Sequence, residues 1–364
     1  MQTSARGRRR SAAPVVAALV AAVLQGCTCS ATPPLRDRGG DATHPTGDTA
    51  TAPGPTGATG DTAGEPLAWV SIDAGFIDSC GVLTDGRVVC WGNDEYVALA
   101  PTGSSYVEVS LGTHGGCART FDGAVECWCG DVTDASRVCD QQPRDAGYVE
   151  VQDGTWWACA QDAEGRLHCW GGVPRPGAPP SDPVLHWSID EGVGCAVLAD
   201  GTLSCWGHTV NWEGWSDTAA EPVTGPPPEL KYTQVAVGRT HACALDTEGE
   251  AHCWGVTGLG VPYPAAPPGP FASITAWNQI TCGLRPDATA ECWYDFPQLW
   301  DVDDEPPEAN GGPKWEPPPG ERWATIGLGE WAACGLTVAG EARCWMEQME
   351  YEGVVSELPA LSDL

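Results

Sequence analysis

Short runs in which apolar and polar residues alternate recur along the chain from about residue 69 onward. Seven times, such a run precedes two cysteines that lie ten positions apart, and a tryptophan directly follows the second cysteine. Alternation with a period of two predicts β-strands, and seven units of about 36–52 residues predict the blades of a β-propeller. An aromatic residue is expected to open the first strand of each unit, at Trp69, Tyr106, Tyr148, Trp187, Tyr232, Phe271 and Trp323.

The segment between the two cysteines predicts a β-hairpin. In the first unit, Thr84-Asp85-Gly86 fits a three-residue loop whose last position needs a left-handed backbone, which glycine adopts without steric penalty. This loop pairs Leu83 with Arg87, and it places Cys80 opposite Cys90 at a non-hydrogen-bonded position, where side chains lie closest. Glycine recurs at this loop position in every unit except the sixth, where Ala288 predicts a strained turn.

Cysteines opposite each other on neighbouring strands form a disulfide with little backbone movement. Each bridge closes a loop of about eleven residues and contributes roughly 2–3 kcal/mol. Structural zinc, the alternative, favours close C-x₂-C pairs that are brought together with further Cys or His ligands. The cysteine pairs of this chain do not have that spacing. A further pair ten apart, within an insertion, is expected to bridge, and Cys29 is left over. The predicted disulfides are Cys80–Cys90, Cys117–Cys127, Cys129–Cys139, Cys159–Cys169, Cys195–Cys205, Cys243–Cys253, Cys282–Cys292 and Cys334–Cys344.

The N-terminal region predicts export. Four arginines precede a short apolar run within residues 1–26, which is typical of a signal peptide. The sequence Leu24-Gln25-Gly26-Cys27 resembles a bacterial lipoprotein box, which implies lipidation of Cys27 and an address at the outer membrane or cell surface; cleavage nearby without lipid is the alternative. Residues 27–66 are rich in Thr, Pro, Gly and Ala and predict a disordered tether, so the propeller is assigned to residues 67–364.

Composition adds constraints on partners and compartment. The 364-residue chain carries 18 basic and 49 acidic residues, a formal net charge of −31, which argues against nucleic-acid binding. Its 46 Gly and 32 Pro predict many turns and few long helices. Eighteen cysteines are unusual for a reducing compartment, so an oxidising one is expected.

The segment GRTHACALDTEGEAHCWG, residues 238–255, resembles the repeat of the regulator of chromosome condensation family of seven-bladed propellers. The seven in-phase copies cover residues 69–345. The resemblance implies a protein- or ligand-binding scaffold. The founder's nucleotide exchange on Ran is not expected here, since this chain is acidic and predicted to be exported. Units shorter than most eukaryotic ones predict a short or missing fourth strand, and residues 346–364 are a candidate outer strand for the last blade.

Loops on a rigid scaffold are the expected binding elements. Tryptophans on such loops are the best candidates, because tryptophan supplies a large contact area at low entropic cost. The candidates, in two insertions, are Trp212, Trp215, Trp300 and Trp315; a local mini-core that pins each loop is the alternative. The tryptophans after each second cysteine are expected to pack between blades. No catalytic residue, metal site or cofactor is predicted.

The main functional hypothesis is a monomeric, non-enzymatic scaffold on the cell envelope that binds a protein partner through loops on a propeller face. A carbohydrate- or peptidoglycan-binding module is one alternative. A hydrolase with a carboxylate pair in the central channel is the other.

Overall fold

In the computed structural model, the protein forms seven antiparallel sheets of three strands each. The structure describes residues 66–364 except 77, 93, 131–135, 155, 173–177, 208–209, 212–213, 216–228, 257–261, 295–315, 330–331 and 347–357. The predicted signal peptide, Cys27, Cys29 and nearly all of the predicted tether therefore lie outside the described residues. Three consecutive strands of one repeat make each sheet, which confirms the prediction of an all-β, seven-bladed propeller.

The strands follow one order in every blade: an inner strand, a middle strand and an outer strand. Blades 1 to 4 contain, in turn, β1 (Trp69–Ala74), β2 (Asp78–Leu83) and β3 (Val88–Gly92); β4 (Tyr106–Leu111), β5 (Gly115–Thr120) and β6 (Val125–Cys129); β7 (Tyr148–Asp153), β8 (Trp157–Asp162) and β9 (Leu167–Gly171); β10 (Val184–Asp190), β11 (Val193–Leu198) and β12 (Leu203–Gly207). A two-stranded ribbon follows, made of β13 (Val210–Asn211) and β14 (Gly214–Trp215). Blades 5 to 7 contain β15 (Tyr232–Val237), β16 (His241–Asp246) and β17 (Ala251–Gly255); β18 (Ser273–Trp277), β19 (Ile280–Leu284) and β20 (Ala290–Tyr294); β21 (Trp323–Leu328), β22 (Ala332–Thr337) and β23 (Ala342–Met346).

The blades close into a ring, because the inner strands of neighbouring blades contact one another and β1 also contacts β21 and β22 of the last blade. Seven apolar clusters form the core, one at each junction between consecutive blades. Each cluster combines the hairpin of one blade with aromatic residues of the next. The tryptophans after the second cysteines pack in these clusters, as predicted, at Trp91, Trp128, Trp170, Trp206, Trp254, Trp293 and Trp345.

The predicted hairpin geometry is confirmed in detail. Cys80 pairs with Cys90 in the β2–β3 register, the Leu83 N–H donates to the Arg87 carbonyl, and Gly86 has a left-handed φ of 82°. Each of the seven blades has one cross-strand disulfide with a Cα–Cα distance of 4.0 Å. The first cysteine of each pair is buried at a junction between blades, so each disulfide also belongs to the core.

The sixth hairpin has the strained turn that its sequence predicts. Ala288 has a φ of 68°, a left-handed conformation that costs a residue with a Cβ atom roughly 1 kcal/mol. Gly340, at the matching position of blade 7, has a φ of 82°, and a Cβ atom there would meet nothing within 4 Å.

We expect Ala288→Gly to raise the free energy of unfolding by about 0.5–1 kcal/mol, because glycine relieves this strain. The matched change Gly340→Ala should lower it by a similar amount, since the new Cβ introduces strain without a clash. Urea denaturation of both variants measures the effect. Stability changes of the same sign in the two variants would contradict the explanation.

Two expected strand starts are wrong. Phe271 lies two residues before β18, which begins at Ser273. Trp187 does not open its strand either: β10 begins at Val184, which pairs with Leu198 as Trp69 pairs with Leu83 in blade 1. Trp187 is the fourth residue of β10 and is fully buried against blade 3. Sequence reasoning chose the aromatic residue over the smaller valine, although burial at this position requires an apolar side chain and not a ring.

The remaining described elements lie outside the sheets. They are α1 (Asp94–Val97), α2 (Ser136–Asp140) and a short 3-10 helix at Leu361–Asp363. The Cys129–Cys139 disulfide joins the end of β6 to α2. Leu358 and Leu361 pack on the cluster between blades 7 and 1, and Arg87 Nη1 donates to the carbonyl of Leu364 at 3.2 Å.

In the described part of the chain, no blade has a fourth strand, as the short repeats predicted. Most of the candidate outer strand in residues 346–364 lies outside the described residues. No helix among the residues that the structure describes has both the length and the apolar character needed to cross a membrane.

The central channel and the loop faces as the candidate functional site

The inner strands surround a central cavity of about 220 Å³. Along every inner strand except the shorter β18, the first, fourth and sixth residues are buried, whereas the third residue and in most blades the fifth are partly accessible. Polar residues occupy most of these accessible positions. The cavity lining therefore includes Asp73, Ser110, Gln152, Ser188, Gln234 and Thr275.

These polar side chains connect neighbouring blades. An inner strand has a sheet partner on one side only, so some of its N–H groups need acceptors elsewhere. Side chains of the preceding blade supply them. The donor and acceptor atoms are Val109 N and Ser71 Oγ (3.3 Å), Leu111 N and Asp73 Oδ2 (2.8 Å), Asp153 N and Ser110 Oγ (3.0 Å), Ile189 N and Gln152 Oε1 (3.2 Å), Val235 N and His186 Nδ1 (3.5 Å), Val237 N and Ser188 Oγ (3.1 Å), and Ile274 N and Gln234 Oε1 (3.0 Å).

Three carboxyl groups in and beside the channel have strongly altered acidity; Asp190 is buried, and Asp73 and Glu150 are partly buried. Burial raises the pKa of Asp73 and of Glu150 to about 7, and that of Asp190 to about 8. Asp190 Oδ1 accepts from the Glu191 N–H at 2.7 Å, and its Oδ2 accepts from the Asn278 N–H at 3.0 Å, which links blades 4 and 6. These carboxyl oxygens therefore hold backbone groups in place.

Two further channel groups are constrained by neighbouring side chains. Glu108 accepts from Arg119 Nε at 2.6 Å, and burial raises its pKa. Gln152 Nε2 donates to Glu150 Oε1 at 2.8 Å. Carboxyl groups held in this way favour a structural role for the channel. Among the described residues, no three His, Cys, Asp or Glu side chains are grouped as metal ligands.

We expect the free energy of unfolding to fall by about 1–2 kcal/mol when the pH rises from 6.5 to 7.5. The folded protein retains protons on Asp73, Glu150 and Asp190 that the unfolded chain releases near pH 4. Stability present below pH 4 is therefore lost as the pH rises through about 7–8. Burial lowers the pKa of His186 to about 4 and that of His241 to about 3, which partly opposes this trend because the unfolded imidazoles release their protons as the pH rises through about 6.5. Urea denaturation at the two pH values is the measurement, and equal or higher stability at pH 7.5 would contradict the expectation.

The four tryptophans predicted to bind a partner are not tested by the structure. Trp212, Trp300 and Trp315 lie outside the described residues. The backbone of Trp215 lies in β14, where it pairs with Val210. Their role in binding stays a prediction.

The two ends of the ring differ in their described side chains. At the end where inner strands turn into middle strands, three aromatic rings of blades 1 to 3 form a row: Tyr96 lies 6.4 Å from His114, and His114 lies 5.3 Å from Trp156, measured between ring centroids. The other end carries the seven hairpin loops, and we call it the hairpin-loop face. It comprises residues 84–86, 121–123, 163–165, 199–201, 247–249, 286–288 and 338–340 together with the starts of the inner strands.

Exposed apolar side chains concentrate on the hairpin-loop face. Five of the seven exposed large apolar residues in the described part of the chain lie there: Val70, Phe121, Val149, Leu185 and Val338. Phe121 is 86% exposed at a loop tip, and Leu185 is 64% exposed. Apolar groups grouped on one surface are typical of an interaction site, whereas scattered ones need no explanation.

A β-bulge explains why the second residue of an inner strand is exposed. In six blades the register shifts after the first pair, so the second residue has no cross-strand partner, and its side chain leaves the sheet at the channel mouth. Five of the six residues at this position are apolar: Val70, Val107, Val149, Leu185 and Ala324. Together with Ala272, which directly precedes β18 in the blade without a bulge, they form a set that we call the apolar ring. Sequence reasoning missed this ring, although an apolar residue directly after the first core residue breaks the alternation and was a usable signal.

Comparison with known proteins agrees with this fold. The family model of the Regulator of chromosome condensation (RCC1) repeat matches residues 232–257. No curated protein is significantly similar to the chain in sequence. Among solved structures, the CRINKLY WD40 ectodomain of the Arabidopsis thaliana receptor kinase ACR4 is similar at 20% identity and a TM-score of 0.57, over 80% of this chain and 98% of that one.

A second plant ectodomain shows the same likeness. The entire ectodomain of the Physcomitrella patens receptor kinase CR4 is 21% identical, with a TM-score of 0.58 over 77% of this chain and 74% of that one. Yeast RCC1, in its complex with Kap60, is 16% identical with a TM-score of 0.46, over 62% of this chain and 70% of that one. The protein is thus a seven-bladed β-propeller in which one repeat matches the RCC1 repeat model.

Proposed function

We propose that this protein is a non-enzymatic scaffold of the cell envelope that binds a protein partner through the hairpin-loop face. One observation carries the proposal: the exposed large apolar side chains of the described residues lie mainly on this face. Phe121 and Val338 occupy the same loop-tip position in blades 2 and 7, where burial in the propeller core cannot account for them. Aromatic and aliphatic side chains on a rigid surface bind partners at low entropic cost.

The chemistry of the channel supports a binding role over catalysis. Asp73 and Asp190 each accept two backbone hydrogen bonds, and Glu150 is held by Gln152. A hydrolase needs a carboxyl pair that is free to act on a substrate and on water. Here Asp73 instead joins blades 1 and 2, Asp190 joins blades 4 and 6, and Glu150 bonds to Gln152 of its own strand.

The cell-envelope assignment rests on two features. Eight disulfides are typical of a protein that matures in an oxidising compartment. The N-terminal pattern that ends at Cys27 supports lipid anchoring at the bacterial outer membrane or surface. Membrane fractionation of the wild type and of Cys27→Ser tests the anchor: we expect the wild type in the membrane fraction and the variant in the soluble fraction.

Site-specific photo-crosslinking tests partner binding. A photo-reactive residue is placed at Phe121 or Val338 on the hairpin-loop face, and at Leu99, which is 44% exposed outside this face, as the matched control. After irradiation in intact cells, we expect the same protein adduct at positions 121 and 338 and none at position 99. Adducts of equal yield at all three positions, or none at positions 121 and 338, would overturn the proposal.

A further inference from the structure

The hairpin-loop face also carries a ring of acidic residues. The second residue of the loop is acidic in six of the seven hairpins, and Ala339 is the exception. All six side chains are exposed. We call this set the acidic crown: Asp85, Asp122, Glu164, Asp200, Glu248 and Asp287.

Local hydrogen bonds keep several crown carboxylates charged. Threonine hydroxyl groups donate to Asp122, Asp200 and Asp287 at 2.6 Å, and these bonds hold the pKa of each carboxyl below its ordinary value. These three carboxylates therefore retain their negative charge under mildly acidic conditions.

The crown and the apolar ring are adjacent. The Tyr148 N–H donates to the Gly123 carbonyl at 3.0 Å, which places Val149 directly beside the loop that contains Phe121 and Asp122. The Val184 N–H donates to the Gly165 carbonyl at 2.8 Å, which brings Leu185 beside Glu164 in the same way. The first four blades thus present exposed apolar side chains near the channel mouth and carboxylates next to them.

Neighbouring cations neutralise the crown only in part. Asp85, Glu164, Asp200 and Asp287 have an arginine or lysine within 4.0 Å. These pairs are solvent-exposed, and such pairs exchange readily for other partners because they contribute little free energy. Asp122 and Glu248 have no ion-pair partner among the described residues. Asp122 directly follows Phe121, which is the most exposed large aromatic residue in the described part of the chain.

We propose that the arc of the hairpin-loop face formed by blades 1 to 4 binds a basic segment of the protein partner, in which lysine or arginine side chains flank apolar ones. The apolar side chains contact Phe121, Val149 and Leu185, and the cations contact Asp122 and Glu164. This inference rests on the proposed function and adds the chemistry of the partner. Charge complementarity of this kind speeds association and selects the partner.

Fluorescence anisotropy with synthetic peptides tests the charge and the apolar contribution. The probes are three labelled 16-residue peptides. The first contains leucine and lysine, and the second has glutamate in place of every lysine. The third keeps the lysines and has serine in place of every leucine. The full disulfide-bonded chain should bind the leucine–lysine peptide at least tenfold more tightly than either other peptide. Its Kd should rise at least tenfold between 50 and 500 mM NaCl.

Two pairs of variants locate the binding surface. Phe121→Ser and Asp122→Asn should each weaken binding of the leucine–lysine peptide at least fivefold. The matched controls Leu99→Ser and Asp140→Asn, both exposed outside the hairpin-loop face, should leave it unchanged. Circular dichroism confirms that each variant folds. These four substitutions distinguish binding at the hairpin-loop face from non-specific attraction of the peptide to the net negative charge of the whole chain.

The inference would be overturned if the leucine–lysine peptide did not bind, or if it bound no more tightly than the glutamate peptide or the serine peptide. Equal effects of the four substitutions on its binding would also overturn it. The cross-linking experiment separates this failure from failure of the proposed function. If an adduct forms at position 121 but the chain does not prefer the leucine–lysine peptide, the scaffold proposal stands and the partner segment is not basic. Absence of that adduct refutes the scaffold proposal itself.

Discussion

Replacing Trp187 by alanine is expected to lower the free energy of unfolding by about 3–5 kcal/mol. Its ring is fully buried at the junction of blades 3 and 4, where it packs in one cluster with Trp157 and Trp206. The loss comes from packing and from the cavity that the buried ring leaves behind. Trp187→Phe, which keeps a ring, should lose less than half as much.

The matched control is Leu185→Ala, two residues earlier in the same strand. Leu185 is 64% exposed, so its substitution should change the free energy of unfolding by less than about 0.5 kcal/mol. Urea denaturation under non-reducing conditions measures both. A comparable loss in the two variants would show that the strand, and not the buried junction, determines stability here.

Removal of a hairpin disulfide is the second large effect. Changing Cys195 and Cys205 together to alanine should lower the free energy of unfolding by about 3 kcal/mol, because the unfolded chain regains the freedom of a loop of about eleven residues. Cys195 is also fully buried at the junction of blades 4 and 5, so its loss disturbs packing as well.

The control pair is Cys129 and Cys139, which closes a loop of the same length. Both of these cysteines are half-buried beside α2, so their replacement by alanine should cost clearly less. Chemical denaturation of the two double variants gives the comparison. If the Cys129–Cys139 variant lost as much or more free energy of unfolding, burial of the sulfurs at the blade junction would not contribute to stability.

The repeat made most of the fold predictable from sequence. The three-residue hairpin loop determines which residues pair, so the positions of Cys80 and Cys90 predicted a register that the structure reproduces. The same reasoning predicted the strained turn at Ala288 from one missing glycine. Both are local effects, in which a few neighbouring residues decide the backbone conformation.

Features that depend on contacts between blades were harder to predict. The start of β10 at Val184 depends on which side chain fills the junction, and aromatic character alone pointed to Trp187 instead. The hydrogen bond from the Leu111 N–H to Asp73 joins residues 38 positions apart, and nothing in either segment alone indicates it. The sequence did not indicate Phe121 as part of a candidate site, because the tryptophans in the insertions were the aromatic residues that lay outside the repeat pattern.

Each blade takes all three of its strands from one uninterrupted stretch of chain, and no blade combines the two ends of the described polypeptide. No sheet therefore crosses the junction between blades 7 and 1, where Leu358 and Leu361 pack on the apolar cluster. Duplication or loss of one repeat in the gene would add or remove a complete blade without cutting through a sheet. The architecture thus lets the number of blades change during evolution while every remaining unit keeps its own internal bonds.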